Sequence, residues 1–188
     1  MHPVTPDRLH PLLQQRFSTR LYRDQDVDLA VLVRLFEAAR WSASSSNEQP
    51  WRFVVAIKSA NPEGWEQIAS TLVPGNAWAL QAPVLGISIA SPKFARNDKP
   101  NRWAQFDTGA AMAMLTVQAT AEGLNVHQMG GFDAAKAIEV LGIPEDHTPM
   151  AAFAIGYAQQ SAPPDGRTRK PLDSILFDGA FGNPLATR

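Results

Sequence analysis

The chain has 188 residues, is 45% apolar and carries a formal net charge of −1, which suits one domain with a proper hydrophobic core. So even a charge balance supplies no global field for nucleic acid or an anionic membrane surface. Cysteine is absent, which excludes disulfides, thiolate metal sites and thiol nucleophiles together.

No apolar run reaches the roughly 18 residues that a membrane helix needs, and Met1–Pro6 has no signal-peptide pattern. A cytoplasmic protein is the expectation. Thr5-Pro6-Asp7 reads as a helix start, with a capping Thr, Pro at the first helical position and an acid in the first turn. That helix is expected to reach about Gln15, with Pro11 tolerated near its start. Arg16-Phe17-Ser18-Thr19-Arg20 follows. Its two guanidinium groups and two hydroxyls suit an anion such as phosphate. Ordinary surface pairing with Asp24, Asp26 or Asp28 is the competing reading.

Asp28 caps the next helix, whose Leu29, Leu32, Val33 and Phe36 share a face. The helical pattern stops before Ser42-Ala43-Ser44-Ser45-Ser46-Asn47-Glu48-Gln49-Pro50, a polar loop of small side chains. Backbone N–H groups and amide heads in such a loop can approach a ligand closely, and a rigid scaffold commonly presents chemistry there. A Ser- and Asn-rich turn is also what any helix-to-strand connection favours. Arg52–Ile57 is predicted as a buried strand. Asn61-Pro62-Glu63 opens a third helix ending near Leu72, and Val84–Ala90 is a second buried strand. Ser91–Arg102 carries Lys93, Arg96, Lys99 and Arg102 with little apolar pattern. It reads as a long mobile loop, either a lid or a solvated connection.

Trp103–Glu122 is the longest helical segment, stopped by Gly123. It is apolar on more than one face, so it is expected to be buried in the core or in a subunit contact. Asn125–Met129 reads as a strand leading to Gly130-Gly131, where backbone can approach a flat ligand. Asp133 caps a helix Ala134–Leu141, whose N-terminus favours negative charge. Ala151–Tyr157 is another apolar strand. The tail 167–188 is irregular and must dock on its own domain or on a partner.

Alternating strands and helices argue for an α/β or α+β architecture. Dinucleotide-binding glycines, a histidine pair for a metal and a Gly-x-Ser-x-Gly elbow are all missing. Redox chemistry would therefore require a borrowed cofactor.

Ser44-Ser45-Ser46-Asn47-Glu48-Gln49-Pro50-Trp51 resembles the Ser-Ser-x-Asn-x-Gln-Pro-Trp loop of the nitroreductase family. Arg16–Arg20, Ala82-Pro83-Val84, Asp107-Thr108-Gly109-Ala110-Ala111, Gly130-Gly131-Phe132-Asp133 and Arg167-Thr168-Arg169-Lys170-Pro171-Leu172 are similar to further family segments in the same order. Ala43 and Ser46 depart from the pattern, where Pro and a larger residue are common. The resemblance implies a single α+β domain over 1–188, with a central mixed sheet flanked by helices, a long interface helix and a C-terminal tail from 167. It implies FMN at a homodimer interface. Arg16 and Ser18 would serve the phosphate end with Arg20 close by, together with Arg169 and with Arg167 or Arg20 assisting. Asn47 would hydrogen-bond the ring edge and Gly130 and Gly131 would lie against the ring, with Phe17, Ser44, Ser45, Gln49 and Met129 completing the cofactor-binding set. The implied activity is ping-pong transfer of electrons from NAD(P)H to a small nitroaromatic, quinone or enone acceptor, with no proton-transfer side chain. A flavin carrier or regulatory module without NAD(P)H turnover is the alternative. Nucleic-acid, membrane and metal partners are not expected.

Overall fold

The computed structural model describes residues 9–185, so the Thr5-Pro6-Asp7 helix start lies outside the described residues. The first described helix, α1, is Pro11–Gln15, with the His10 ring accepting from the Leu12 N–H at its start. Helix α2 (Leu29–Arg40) is capped as expected by Asp28, whose carboxylate accepts from the N–H groups of Ala30 and Val31. Strand β1 is Trp51–Ile57, and α3 is Pro62–Ala69 with Asn61 at its cap. Thr71 and Leu72, read as helical, fall in the turn beyond α3. A 3₁₀ segment Pro74–Gln81 then leads to β2 (Val84–Ala90). Helix α4 is Ala104–Ala121 and β3 is Asn125–Met129. Asp133 caps α5 (Ala134–Leu141), which stops at the left-handed Gly142, φ 63°. Strand β4, Thr148–Gly156, completes the sheet.

The four described strands lie in the order β1-β2-β4-β3, and every neighbouring pair is antiparallel. The α+β class therefore stands, but the expected mixed sheet does not: within the described residues it is wholly antiparallel. The reason lies in the connections. Ile57 at the end of β1 sits opposite Val84 at the start of β2, so α3 and the 3₁₀ segment return to the sheet end they left. A chain that re-enters at the same end must run back.

Side-chain alternation puts Phe53, Val55, Phe153 and Ile155 against α2 and α4, and Ala56, Leu85, Ile87 and Ala154 against α3 and α5. Three layers result, and β2 is buried along its full length. Gly86 lies flat under the Phe153 ring, leaving no room for a Cβ. Two corners of this sandwich matter below. One is the sheet end at Trp51 and Ala90, beside the start of α4. The other is the diagonal corner at Asn125, beyond the end of α4.

The segment after β2 is not the loose loop that its polarity suggested. Lys93 bridges Pro100, the Phe94 N–H donates to Lys99 O at 2.9 Å, and the Asp98 N–H donates to Phe94 O at 2.8 Å. It is a compact hairpin, turned by Asp98 at φ 56°. The bonds that pair its two arms are backbone to backbone, which the side-chain pattern does not reveal, and Asn97 Oδ1, accepting from the Lys99 N–H at 3.1 Å, supports the turn.

Candidate functional site

The Asn125 corner gathers basic residues from both ends of the chain. Asn125 Nδ2 donates to Phe17 O at 3.2 Å, and His127 Nδ1 lies 2.7 Å from Thr19 O. Together they hold the segment 16–20 along β3. The tail joins there. Arg167 donates to Arg16 O and to Gln14 O, both at 2.7 Å. Burial, then Arg169, then Arg167 push the Arg16 guanidinium below its ordinary value. Arg16, Arg167 and Arg169 thus stand close together as like charges. None of them forms an ion pair with a carboxylate among the described residues. Pairing with Asp24, Asp26 or Asp28 is thereby set aside. Ser18 is exposed beside them, its Oγ 3.5 Å from Arg16 Nη1. The Phe17 side chain is buried and offers a ligand no surface.

Arg20 is drawn elsewhere. Its guanidinium lies 5.8 Å from the centre of the Trp78 ring. Trp78 in turn packs against His127 at 4.3 Å between ring centres. Burial, with Arg20 adding to it, lowers the His127 pKa, although the bond to Thr19 O opposes the shift. The buried Trp78 Nε1 has no partner among the described residues.

The Gly130-Gly131 pair divides. Nothing lies within 4 Å of where a Gly130 Cβ would stand, so that backbone is open to a ligand. At Gly131 a Cβ would meet Asn76 Nδ2 at 2.8 Å and Val73 Cγ2 at 2.9 Å, and Asn76 Nδ2 donates to Gly131 O. Gly131 is small for the protein's own packing. Met129 is buried in the core. Gly130 lies five residues along the β3 direction from Asn125, about 17 Å at the usual strand rise. That span suits an elongated ligand with an anion at one end and a flat group at the other.

The Ser44–Gln49 loop occupies the diagonal corner. Ser46, Asn47 and Gln49 all adopt left-handed backbone, at φ 56°, 55° and 53°. Each is unfavourable for a residue with a Cβ, by about 1 kcal/mol or more. Local bonds impose the shape. Ser44 Oγ accepts from the Gln49 N–H at 3.0 Å, and Gln49 Nε2 donates to Asn47 Oδ1 at 3.2 Å. The buried Asp107 carboxylate accepts from the Ser45 N–H at 3.0 Å, fixing the loop to the first turn of α4. Glu48 Oε1 accepts from the Ala95 N–H at 2.8 Å, joining the loop to the hairpin. The Asn47 side chain stays exposed.

The structure does not bring the two corners together within one chain. From the Asn125 level to the Trp51 level is eight residues along β4, about 27 Å, and three strand spacings across, about 14 Å. The diagonal is about 30 Å. A hollow of about 530 Å³ lined by Tyr22, Lys58, Gln81 and Gln159 contains none of the expected site residues.

The nitroreductase family model matches residues 13–157. The chain belongs to the nitroreductase family. A crystal structure described as an oxidoreductase containing FMN is 33% identical, with a TM-score of 0.86 and 96% of each chain covered. An uncharacterised 15.4 kDa protein of Mycolicibacterium smegmatis is 33% identical over 149 residues, 71% of this chain and 99% of its own. An NADH dehydrogenase of Thermus thermophilus is 26% identical over 194 residues, 87% of this chain and 92% of its own.

Sequence reasoning gave no site role to Asp107, Asn76, Trp78 or His127. Asp107 carried a signal, since an acid in the first turn of an otherwise apolar helix invites a partner for its charge. Asn76 and Trp78 carried none. Their roles depend on a 3₁₀ segment reaching β3 across about fifty residues of sequence, as the Asn76–Gly131 bond does.

Proposed function

We propose that this nitroreductase-family chain is an FMN-dependent oxidoreductase that uses NADH or NADPH to reduce a small nitroaromatic, quinone or enone acceptor, working as a homodimer. The observation that carries the reading is the meeting of Arg16, Arg167 and Arg169 without a carboxylate among the described residues. Like charges so placed repel one another, and a bound oxyanion turns that repulsion into charge-assisted hydrogen bonds. The residues present therefore fit the phosphate of FMN. The open backbone at Gly130 fits the approach of its flat ring.

When bound, FMN supplies the two-electron chemistry between the nicotinamide and the acceptor. The chain's own contribution is positional. Arg16, Ser18, Arg167 and Arg169 hold the phosphate, and Gly130 leaves the ring room. Asn47 offers both a donor and an acceptor to the ring's polar edge. The loop's own bonds, from Asp107, Ser44, Gln49 and Ala95, keep that amide in place. An open face that admits one substrate at a time is the basis for a ping-pong order.

The corners are too far apart for one ligand to touch both in a single chain. A ligand held by the arginines of one copy and the Asn47 loop of another satisfies the geometry. The outward face of α4 suits such an association: Phe106 is 73% and Met114 45% exposed, with Gly109, Ala110 and Ala113 between them. On α2, Leu29 and Val33 are exposed as well. Small residues at the centre of an apolar helix face allow close helix approach.

The test is reconstitution with FMN followed by anaerobic addition of NADH or NADPH. Loss of the oxidised flavin's visible band, and its return on adding acceptor, is the expected result. A chain that binds FMN stoichiometrically and is never reduced would be a carrier, and one that binds no FMN would sink the reading.

A further inference from the structure

The basic side chains of the hairpin 92–101 and of Arg102 beside α4 have no role in the site so far. Four cations lie on this short stretch, Lys93, Arg96, Lys99 and Arg102, with Asp98 as its only acid, in a chain whose net charge is −1. Lys93 is already engaged, 3.5 Å from Asp98 and 3.7 Å from Asp146. Arg96, Lys99 and Arg102 form no ion pair among the described residues. Two of them are held against rings. The Arg96 guanidinium lies 5.2 Å from the centre of Phe94, and that of Arg102 lies 4.5 Å from the centre of Trp103. A guanidinium resting on a ring keeps its N–H edge outward and loses less freedom when it meets an anion.

The hairpin is also fixed beside the candidate ring site. Its turn is bonded to the strained loop through the Ala95 N–H and Glu48, the residue next to Asn47. Its base is tied to the same loop by the Ser91 N–H on Pro50 O at 2.8 Å. Asn101, buried at the hairpin's end, accepts from the Trp103 N–H at 3.1 Å and sets the start of α4. Cations on a rigid platform next to a redox site sort substrates by charge.

We propose that Arg96, Lys99 and Arg102 form an anion-recognition element of the substrate site, taking a phosphate or carboxylate carried by a small-molecule substrate. This rests on the oxidoreductase reading. The oxyanion has two possible sources, the phosphates of the nicotinamide donor or an acid group on the acceptor. The observations name the chemistry, and kinetics separates the sources.

The experiment compares the FMN-loaded wild type with the Arg96→Ala/Lys99→Ala double variant. In the donor arm, NADPH and NADH are set against the phosphate-free N-benzyl-dihydronicotinamide. In the acceptor arm, para-nitrobenzoate is set against the neutral para-nitrobenzamide. Losing two exposed charge-assisted contacts should raise KM for the anionic member of one arm by about tenfold, with its neutral counterpart unchanged. The arm that responds identifies the source. Unchanged KM in both arms overturns the proposal. So does an equal change for charged and neutral members, which would mean a structural disturbance. The flavin band and melting temperature, expected to be unaltered, report folding independently. If the wild type turns over no pair, the oxidoreductase reading fails on its own. Calorimetric titration with para-nitrobenzoate and NADPH then decides the anion site, and equal affinities for wild type and variant overturn it.

Discussion

Arg169→Ala separates a ligand-binding arginine from a structural one. The Arg169 side chain is exposed and, among the described residues, makes only a local bond, Nη1 to Thr168 O. It also helps to hold the Arg16 guanidinium below its ordinary value. Removing it relieves repulsion in the FMN-free protein, so the melting temperature should stay level or rise slightly. FMN binding should move the other way. A charge-assisted hydrogen bond is worth about 1.5–3 kcal/mol, and an exposed, screened group belongs at the lower end. A loss of about 1.5 kcal/mol is roughly tenfold in Kd. Arg167→Ala should behave differently. Arg167 ties the tail to Gln14 O and Arg16 O, so its loss should lower both FMN affinity and the stability of the FMN-free protein. The assay is titration of the FMN-free variants with FMN, followed by flavin fluorescence, beside thermal unfolding without FMN. Arg169→Ala binding FMN within about twofold of wild type would refute the phosphate assignment.

The two glycines should separate in the same assays. Gly130→Val meets open space and should keep the melting temperature while losing flavin occupancy. Gly131→Ala meets Asn76 and Val73 and should lower stability by about 1–3 kcal/mol, as overpacking does. A Gly130→Val protein that binds FMN normally would remove the ring from that backbone. For His127, burial depresses the folded-state pKa below the ordinary 6.5. The unfolded chain therefore takes up the proton first as pH falls, and stability drops through that window rather than above it. His127→Gln should flatten the decline in melting temperature between neutral pH and about pH 5.5. An unchanged slope would assign the decline to other groups.

Much of the fold was legible because its cues are local. Asp28, Asn61 and Asp133 cap helices where they should, and Val84–Ala90 is a strand to the residue. Strand direction was not legible, because it depends on which sheet end a connection returns to. The hairpin 92–101 was missed because the bonds that pair its two arms join backbone atoms under an irregular polar sequence. At the site, the chemical types of Arg16, Arg169 and Asn47 were readable, and family order placed them together. Their separation by about 30 Å was not readable, since it is a property of strand order and register. The strain at Ser46, Asn47 and Gln49 was hidden as well. None of them is glycine, and the bonds that impose left-handed backbone come partly from Asp107 and Ala95, far along the chain.

Under the homodimer reading proposed above, that separation makes cofactor binding and self-association one equilibrium. The Asn47 loop is held in shape by bonds involving Asp107, Ser44 and Glu48, so each copy presents a fixed loop and an arginine cluster at opposite corners. A flavin bridging the arginines of one copy and the loop of the next binds only the associated form. Linkage then requires FMN to strengthen association by the factor by which association strengthens FMN binding. Two distant changes should therefore have the same pair of effects. Ala113→Glu puts a charge on the outward face of α4, eight residues and about 12 Å before the helix end nearest the arginine corner, and should lower FMN affinity through loss of the dimer. Arg169→Ala, at the opposite corner, should weaken dimerisation only when FMN is present. Analytical ultracentrifugation of both variants, with and without FMN, measures all four states. A monomeric Ala113→Glu protein that keeps wild-type FMN affinity would place the whole site within one chain, and the two-corner argument would fall.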